Sequence, residues 1–222
     1  MSGWDVWALQ INLKQLGPST RDIPLDGSFG PATRQAVLLH QKNRNLVQDG
    51  IAGIATQTSI CLTLSKKPEQ AANLPIGLLR GLIEGESGFA IACFSPHPSD
   101  SGFDLGAFQD SITPGEVGNQ QRYARAFNVP VLAVETAEKI RTQFDEYAKV
   151  VSHKRAWELA VLYHNWPSAA HNLAYIGRIY KNQSADEPQQ WIISATGGRL
   201  QTARQWVESY IEKKFIYVTR FP

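Results

Sequence analysis

"DGSFGPAT", residues 26–33, and "DGIAGIAT", residues 49–56, share the pattern DGxxGxxT, with their starts 23 residues apart. Two copies of one turn so close together mean an internal duplication, and they frame a helix. Each Asp-Gly marks a tight turn, because Gly accepts a positive φ and Asp can bond its own downstream backbone. Each turn then opens a helix. Pro31 suits the first helical position of the first one, and Ala36, Val37 and Leu39 to His40 in "ATRQAVLLHQKNR" give it an apolar face. The second turn leads into "ATQTSICLTL". Upstream, Val6, Leu9, Leu13 and Leu16 recur at spacings of three and four and stop at Gly17, so a third helix precedes both turns. Three short helices and two related turns make a small unit, near the lower limit for independent folding.

The order LQxxL (Leu9, Gln10, Leu13), DGxFGPxTxxAV, Gln41 and DGxxGxxT, over residues 4–64, resembles the three-helix peptidoglycan-binding domain found at one end of many wall-lytic enzymes. The second copy departs from the pattern in having Ile54 where proline is usual. The resemblance implies affinity for wall glycan or stem peptide without catalysis. It also implies a motif made of Asp26, Gly27, Phe29, Gly30, Thr33, Asp49, Gly50, Gly53 and Thr56. The polar stretch "SKKPEQAANLP", with Pro68 and Pro75, reads as a break. The expected organisation is therefore a binding domain at 1–66, a linker at 67–74 and a second domain at 75–222.

Composition narrows the classes. Hydrophobic residues make 43% of the 222-residue chain and charged ones 19%, which is the soluble globular range. A net charge of +2 without a long basic run does not suit a nucleic-acid binder. No apolar run approaches the ~20 residues that span a bilayer, and "MSGWDVWALQ" lacks the order of a secretory signal. Cys61 and Cys93 have no C-x-x-C spacing and lie in apolar surroundings, so reduced thiols in a reducing compartment are expected, not a disulfide or metal site. His40, His97, His153, His164 and His171 show no recognised ligand spacing. No metal or organic cofactor is expected.

In "GLIEGESGFA", residues 81–90, two glutamates interrupt an apolar helix. At about 100° per residue, Leu78, Leu79, Leu82 and Ile83 form one face, and Glu86 falls at its centre. Glu84 lies on the other side beside Arg80, where an ordinary surface ion pair explains it. A carboxylate on an apolar face has its charged form disfavoured by desolvation and so retains a proton, as a general acid for glycosidic cleavage must. Periodicity alone favours the plainer reading, in which the helix ends at Gly85 and Glu86 swings into water or accepts hydrogen bonds from loop amides.

"ESGF", then "GAFQ" at 106–109, the helical stretch "AVETAEKIRTQFDEYAKVV" and "WELAVLYHNWP" at 157–167 together resemble the soluble lytic transglycosylase and goose-type lysozyme group. The resemblance implies a mainly α fold, a three-helix bundle followed by a mostly helical lysozyme-like domain. Within it Glu86 is the catalytic acid and Ser87 its neighbour, Gly106 and Gln109 end a cleft motif, and Tyr163 lies on a later helix. Either His164 or Asn165 takes the asparagine position, and Trp166 could stack on a sugar. Lytic transglycosylases cleave between N-acetylmuramic acid and N-acetylglucosamine with a single glutamate, the sugar's own 6-hydroxyl attacking to give a 1,6-anhydro product. The other route is a hydrolytic muramidase, for which Asp104 is the second carboxylate ahead of Asp100, Asp110 and Glu116. A third reading is a wall-binding protein without activity. A binding domain ahead of a glycan-cleaving one resembles modular phage endolysins, which implies a monomer that acts on peptidoglycan, neither binds nucleic acid nor inserts in membranes, and waits in the host cytoplasm for holin-made lesions. Beyond Trp191, Leu200, Ala203, Tyr210 and Ile211 keep a helical period.

Overall fold

The computed structural model describes residues 3–97, 101–164, 167, 170, 171 and 174, and over them the chain is mainly helical. It divides into two compact units, the first spanning Met1–Glu135 and the second beginning at Thr136.

The first unit opens with the three expected helices, α1 (Trp4–Lys14), α2 (Pro31–Asn43) and α3 (Ile54–Ala71). Pro31 takes the start of α2, where its missing N–H would have had no partner anyway. Leu9, Leu13, Val37 and Ile60 are all buried, so the threefold and fourfold spacings mark the packed faces. α3 is longer than its apolar pattern. It continues through Pro68 to Ala71, so most of the expected 67–74 linker is helix, and Leu74 after it is buried. Glu69 explains why this stretch is ordered: its two carboxylate oxygens accept the N–H groups of Gly77 and Leu79, each at 2.9 Å. A carboxylate there satisfies amides that the next helix, α4 (Leu78–Ser87), cannot pair within itself.

α4 buries Leu78, Leu79, Leu82 and Ile83 and packs against α3. It ends on Gly88, φ +58°, and Phe89, φ +67°, two successive left-handed residues. After α4 come three short antiparallel strands, β1 (Phe94–Pro96), β2 (Phe103–Leu105) and β3 (Asp110–Ile112), in spatial order 1-2-3. Phe94 faces Leu105 and Phe103 faces Ile112 across the ladders. α5 (Gln120–Phe127) follows, its first turn capped by the Asn119 side chain, which accepts from Arg122 N–H at 3.1 Å.

α1 is joined to this later part by a buried node. The Asn12 amide donates to the carbonyls of Ala8 (2.9 Å) and Phe127 (2.7 Å), and its oxygen accepts from Val129 N–H at 3.0 Å. Asn12 is fully buried, so those bonds have no replacement from water. Rings continue the joint: Trp4 meets Tyr123 edge-on at 5.3 Å, and Phe103 lies 5.9 Å from Tyr123 and 5.1 Å from Phe94. The three-helix module and the strands after α4 are thus parts of one compact unit.

α6 (Val129–Tyr147) runs into the second unit, where α7 (His153–Leu162) is capped by Ser152. Trp157 stacks on Phe144 at 3.7 Å with the Arg141 guanidinium over both rings. Ile140, Tyr147, Leu159 and Leu162 are buried. The helical period seen beyond Trp191 falls outside the described residues. No helix of the described residues is long and apolar enough to cross a membrane. Cys61 and Cys93 are both free thiols, and burial pushes that of Cys61 up to about 12, which leaves it inert.

Candidate functional site

The duplicated turns are built by two buried glutamines that their motif does not contain. The Gln10 amide donates to Asp26 Oδ1 (2.9 Å), Ser28 O (3.0 Å) and Thr33 Oγ1 (3.1 Å), while its oxygen accepts from Gly27 N–H at 2.9 Å. Gln41 repeats this arrangement with Asp49 (2.8 Å), Ile51 O (3.0 Å), Thr56 (3.0 Å) and Gly50 N–H (3.0 Å). Each aspartate also accepts the N–H two residues on, at 2.8 Å. These bonds hold both carboxylates below their usual range. At Asp26 the Gln10 amide contributes most, and at Asp49 the Ile51 N–H does. Gly27 and Gly50 take positive φ, +67° and +70°, as the turns require. The buried Thr33 and Thr56 and the exposed Asp26 and Asp49 therefore spend their side chains on shaping the turns.

What the turns leave open is a groove of about 470 Å³ beside the second copy. Its apolar wall includes Val6, Leu9, Phe29 and Ile51, and Arg34 and Asp5 lie among its lining. The Arg34 chain lies across Gly50, where an added Cβ would meet its Nε at 2.9 Å, and its guanidinium donates to Asp49 O at 3.3 Å. Ile91 and Ala92 also line the groove, and Ile91 N–H donates to Gln57 Oε1 at 3.0 Å. Of the remaining motif residues, Gly30 and Gly53 stand immediately before α2 and α3.

At the other end of the segment that holds Ile91, the structure brings "ESGF" and "GAFQ" together. The Ser87 hydroxyl lies 3.0 Å from Ile83 O and 2.9 Å from Ala107 O, so its one proton links the last turn of α4 to the turn at 106–109. Gly106, φ +78°, is obligatory: a Cβ there would sit 2.2 Å from the Ala126 carbonyl of α5. Ala107 and Phe108 are buried. Gln109 adopts φ +51°, and its amide donates to Gly106 O at 3.0 Å. Of the four non-glycine residues with positive φ among the described residues, Asn45 and Asn73 are of a type that tolerates it, whereas Phe89 and Gln109 flank this corner. Backbone held in costly conformations is concentrated where function needs it.

Glu86 is half-buried in the last turn of α4. Glu84 is half-buried too, which corrects its reading as a solvated surface group, and its Oε2 is out of reach of water with no hydrogen-bond partner. The short helix ends against the 106–109 turn, so both of its sides are partly covered.

The other carboxylates are engaged. Asp104 on β2 pairs with His97 Nε2 at 2.9 Å. Ser111 stands 3.5 Å from the same nitrogen, so these three do not form a nucleophile relay, which needs both ring nitrogens. Asp110 is clasped by Arg122 and Arg125. Glu116 accepts from Thr113 N–H and hydroxyl, both at 2.9 Å, and from Arg122. Thr113 chiefly, with Arg122, holds the Glu116 carboxyl low, while Asp110 first and Glu116 second raise Arg122. Among the described residues no group of His, Cys, Asp and Glu could hold a metal ion. In the second unit Tyr163 follows α7, with Lys139 Nζ 5.5 Å from its ring centre and 3.4 Å from His164 O. Burial lowers the Lys139 amine. Asn165, Trp166 and Asp100 lie outside the described residues.

The profile of a family described as a putative peptidoglycan binding domain matches residues 2–60. That match supports a peptidoglycan-binding module at the N-terminus, association with the cell wall, and peptidoglycan as a partner. No curated protein and no solved structure matches the chain.

Proposed function

We propose that this chain is a peptidoglycan-cleaving enzyme that holds the wall through its N-terminal module and cuts the bond between N-acetylmuramic acid and N-acetylglucosamine with Glu86. The observation that carries this reading is the corner at α4, where Ser87 joins the glutamate-bearing turn to Gly106–Gln109 under backbone strain at Phe89 and Gln109. Glu86 protonates the glycosidic oxygen as the C1–O bond breaks. Its carboxylate then takes the proton of the muramic 6-hydroxyl, whose oxygen bonds C1 and closes a 1,6-anhydro ring. No water is consumed, and the intramolecular attacker has a high effective concentration. The single-glutamate route is favoured by the carboxylates in and just after the sheet, because Asp104 is engaged by His97, and Asp110 and Glu116 by arginines. A hydrolytic muramidase would have to free one of them. Gln109 and Tyr163, with Asn165 and Trp166, are proposed to position the sugars.

The assignment as a phage endolysin, released from the host cytoplasm through holin lesions, belongs to the same proposal and rests on the order of a binding module before a cleaving one. Mass spectrometry of fragments released from purified sacculi tests the chemistry. Ends in 1,6-anhydro-muramic acid are expected. Reducing muramic ends would establish hydrolysis instead, and unbroken glycan would leave wall binding alone.

A further inference from the structure

The groove beside the second turn is not made by the family-matched residues alone. Its lining includes Ile91 and Ala92, which lie beyond residue 60 and are fixed by the bond from Ile91 N–H to Gln57 at 3.0 Å. Its volume of about 470 Å³ falls within the ~300–1,000 Å³ of ordinary ligand clefts. Its chemistry is selective. Val6, Leu9, Ile51 and Ile91 would leave sugar hydroxyls without partners, at a desolvation cost for each. Methyl and methylene groups suit the same wall.

Charge completes the description. Of the five N–H donors of Arg34, one is engaged by the Asp49 carbonyl, and the fork that remains matches a carboxylate. Asp5 has no hydrogen-bond or ion-pair partner among the described residues and offers a site for an ammonium group. Apolar faces with one cation, Arg34, and two anions, Asp5 and an Asp49 whose carboxylate is already spent on its own turn, fit a short zwitterionic peptide.

We propose that this composite groove binds the stem peptide of peptidoglycan: alanine methyls against Val6, Leu9 and Ile91, a free carboxylate on Arg34, and the amine of the diamino acid towards Asp5. This inference rests on the wall-binding reading above and names its ligand. Ile91 and Ala92 are also five and six positions along the chain from Glu86, so the wall of the groove and the candidate acid belong to one short segment of one compact unit. The stem is held next to the element that carries the cutting residue, and recognition of the peptide selects which glycan is presented.

The test uses the full chain and three probes: a synthetic stem tetrapeptide containing a diamino acid, intact sacculi, and sacculi stripped of stems by an amidase. Calorimetry with the tetrapeptide is expected to show binding that weakens at least about tenfold in Arg34→Glu, which opposes the carboxylate. Ala92→Leu fills the groove from outside the matched residues and is expected to do the same, with an unchanged melting temperature as the folding control. Stripped sacculi are expected to be retained at least about tenfold less than intact ones. Equal retention of stripped and intact sacculi, with no heat from the tetrapeptide, would overturn the peptide assignment and leave wall binding standing. Failure to retain any sacculi would overturn both.

Discussion

The two duplicated turns and the corner at α4 handle polar groups in opposite ways. Around Gln10 and Gln41 the side chains of the motif are paired within their own turn, in two copies that agree bond for bond. Around Glu86 the backbone is strained, two glutamates are half-covered, and one carboxylate oxygen of Glu84 has no hydrogen-bond partner. The difference teaches that a dense polar motif can be scaffold, while the residues fit for a ligand stand beside it, as Arg34 and Asp5 do.

The contrast can be broken hardest at Gly106. Alanine there must displace the Ala126 carbonyl at 2.2 Å and adopt a positive φ, so Gly106→Ala is expected to cost about 4 kcal/mol or more. Gly53, with open space at its Cβ and φ −70°, should accept alanine with a change within about 0.5 kcal/mol. Urea denaturation of the pair decides it, and equal losses would mean that the corner is not tightly built. Next in size are the two glutamines. Gln10→Leu and Gln41→Leu each strand a buried threonine and a turn amide, and each is expected to cost about 3 kcal/mol. Unequal losses would show that the copies, alike in geometry, are unlike in weight.

Acid sharpens the same comparison. Desolvation first, and Arg44 second, lower His40 from an ordinary 6.5 to about 4, so the fold favours the neutral ring. The stability it contributes is complete above pH 6.5 and is lost as pH falls towards 4, on the order of 3 kcal/mol in all. Below that the depressed aspartates of the two turns lose theirs. His40→Gln, which retains an amide near Ser59 without titrating, should flatten the profile between pH 6.5 and 4, read by melting temperature. The smallest expected effect is at Glu69. Glu69→Gln leaves one acceptor for two amides at the start of α4 and should cost about 1 kcal/mol. A loss below a few tenths would mean that the α3–α4 connection behaves as a linker after all.

These positions also show what the sequence made legible. The turns were readable because their chemistry is local: Asp-Gly and the threonine seven residues after each Asp fix the backbone within one turn of chain. Gln10 and Gln41 stand in the pattern without a readable role, because their bonds run between elements and from unequal distances, 16 residues ahead of Asp26 and 8 ahead of Asp49. The strands after α4 leave no signal in the sequence, since three residues each are too few to show alternation. The 67–74 stretch misled because Pro68 and its polar neighbours signal a break, and the carboxylate that orders it acts across a turn. Periodicity sets Glu86 apart from its helix, and the structure has it half-buried in the last turn of α4. Its neighbour Glu84 was misjudged, because a helical wheel describes one helix and cannot see the chain that covers its other side.

The central claim is that wall binding and cutting are separable functions, with Glu86 needed only for the second. The most direct measurement compares wild type with Glu86→Gln on labelled sacculi, scoring retained protein and released glycan in the same tube. The account predicts equal retention and release by the wild type alone. Equal release by both proteins, or none from the wild type, would contradict it.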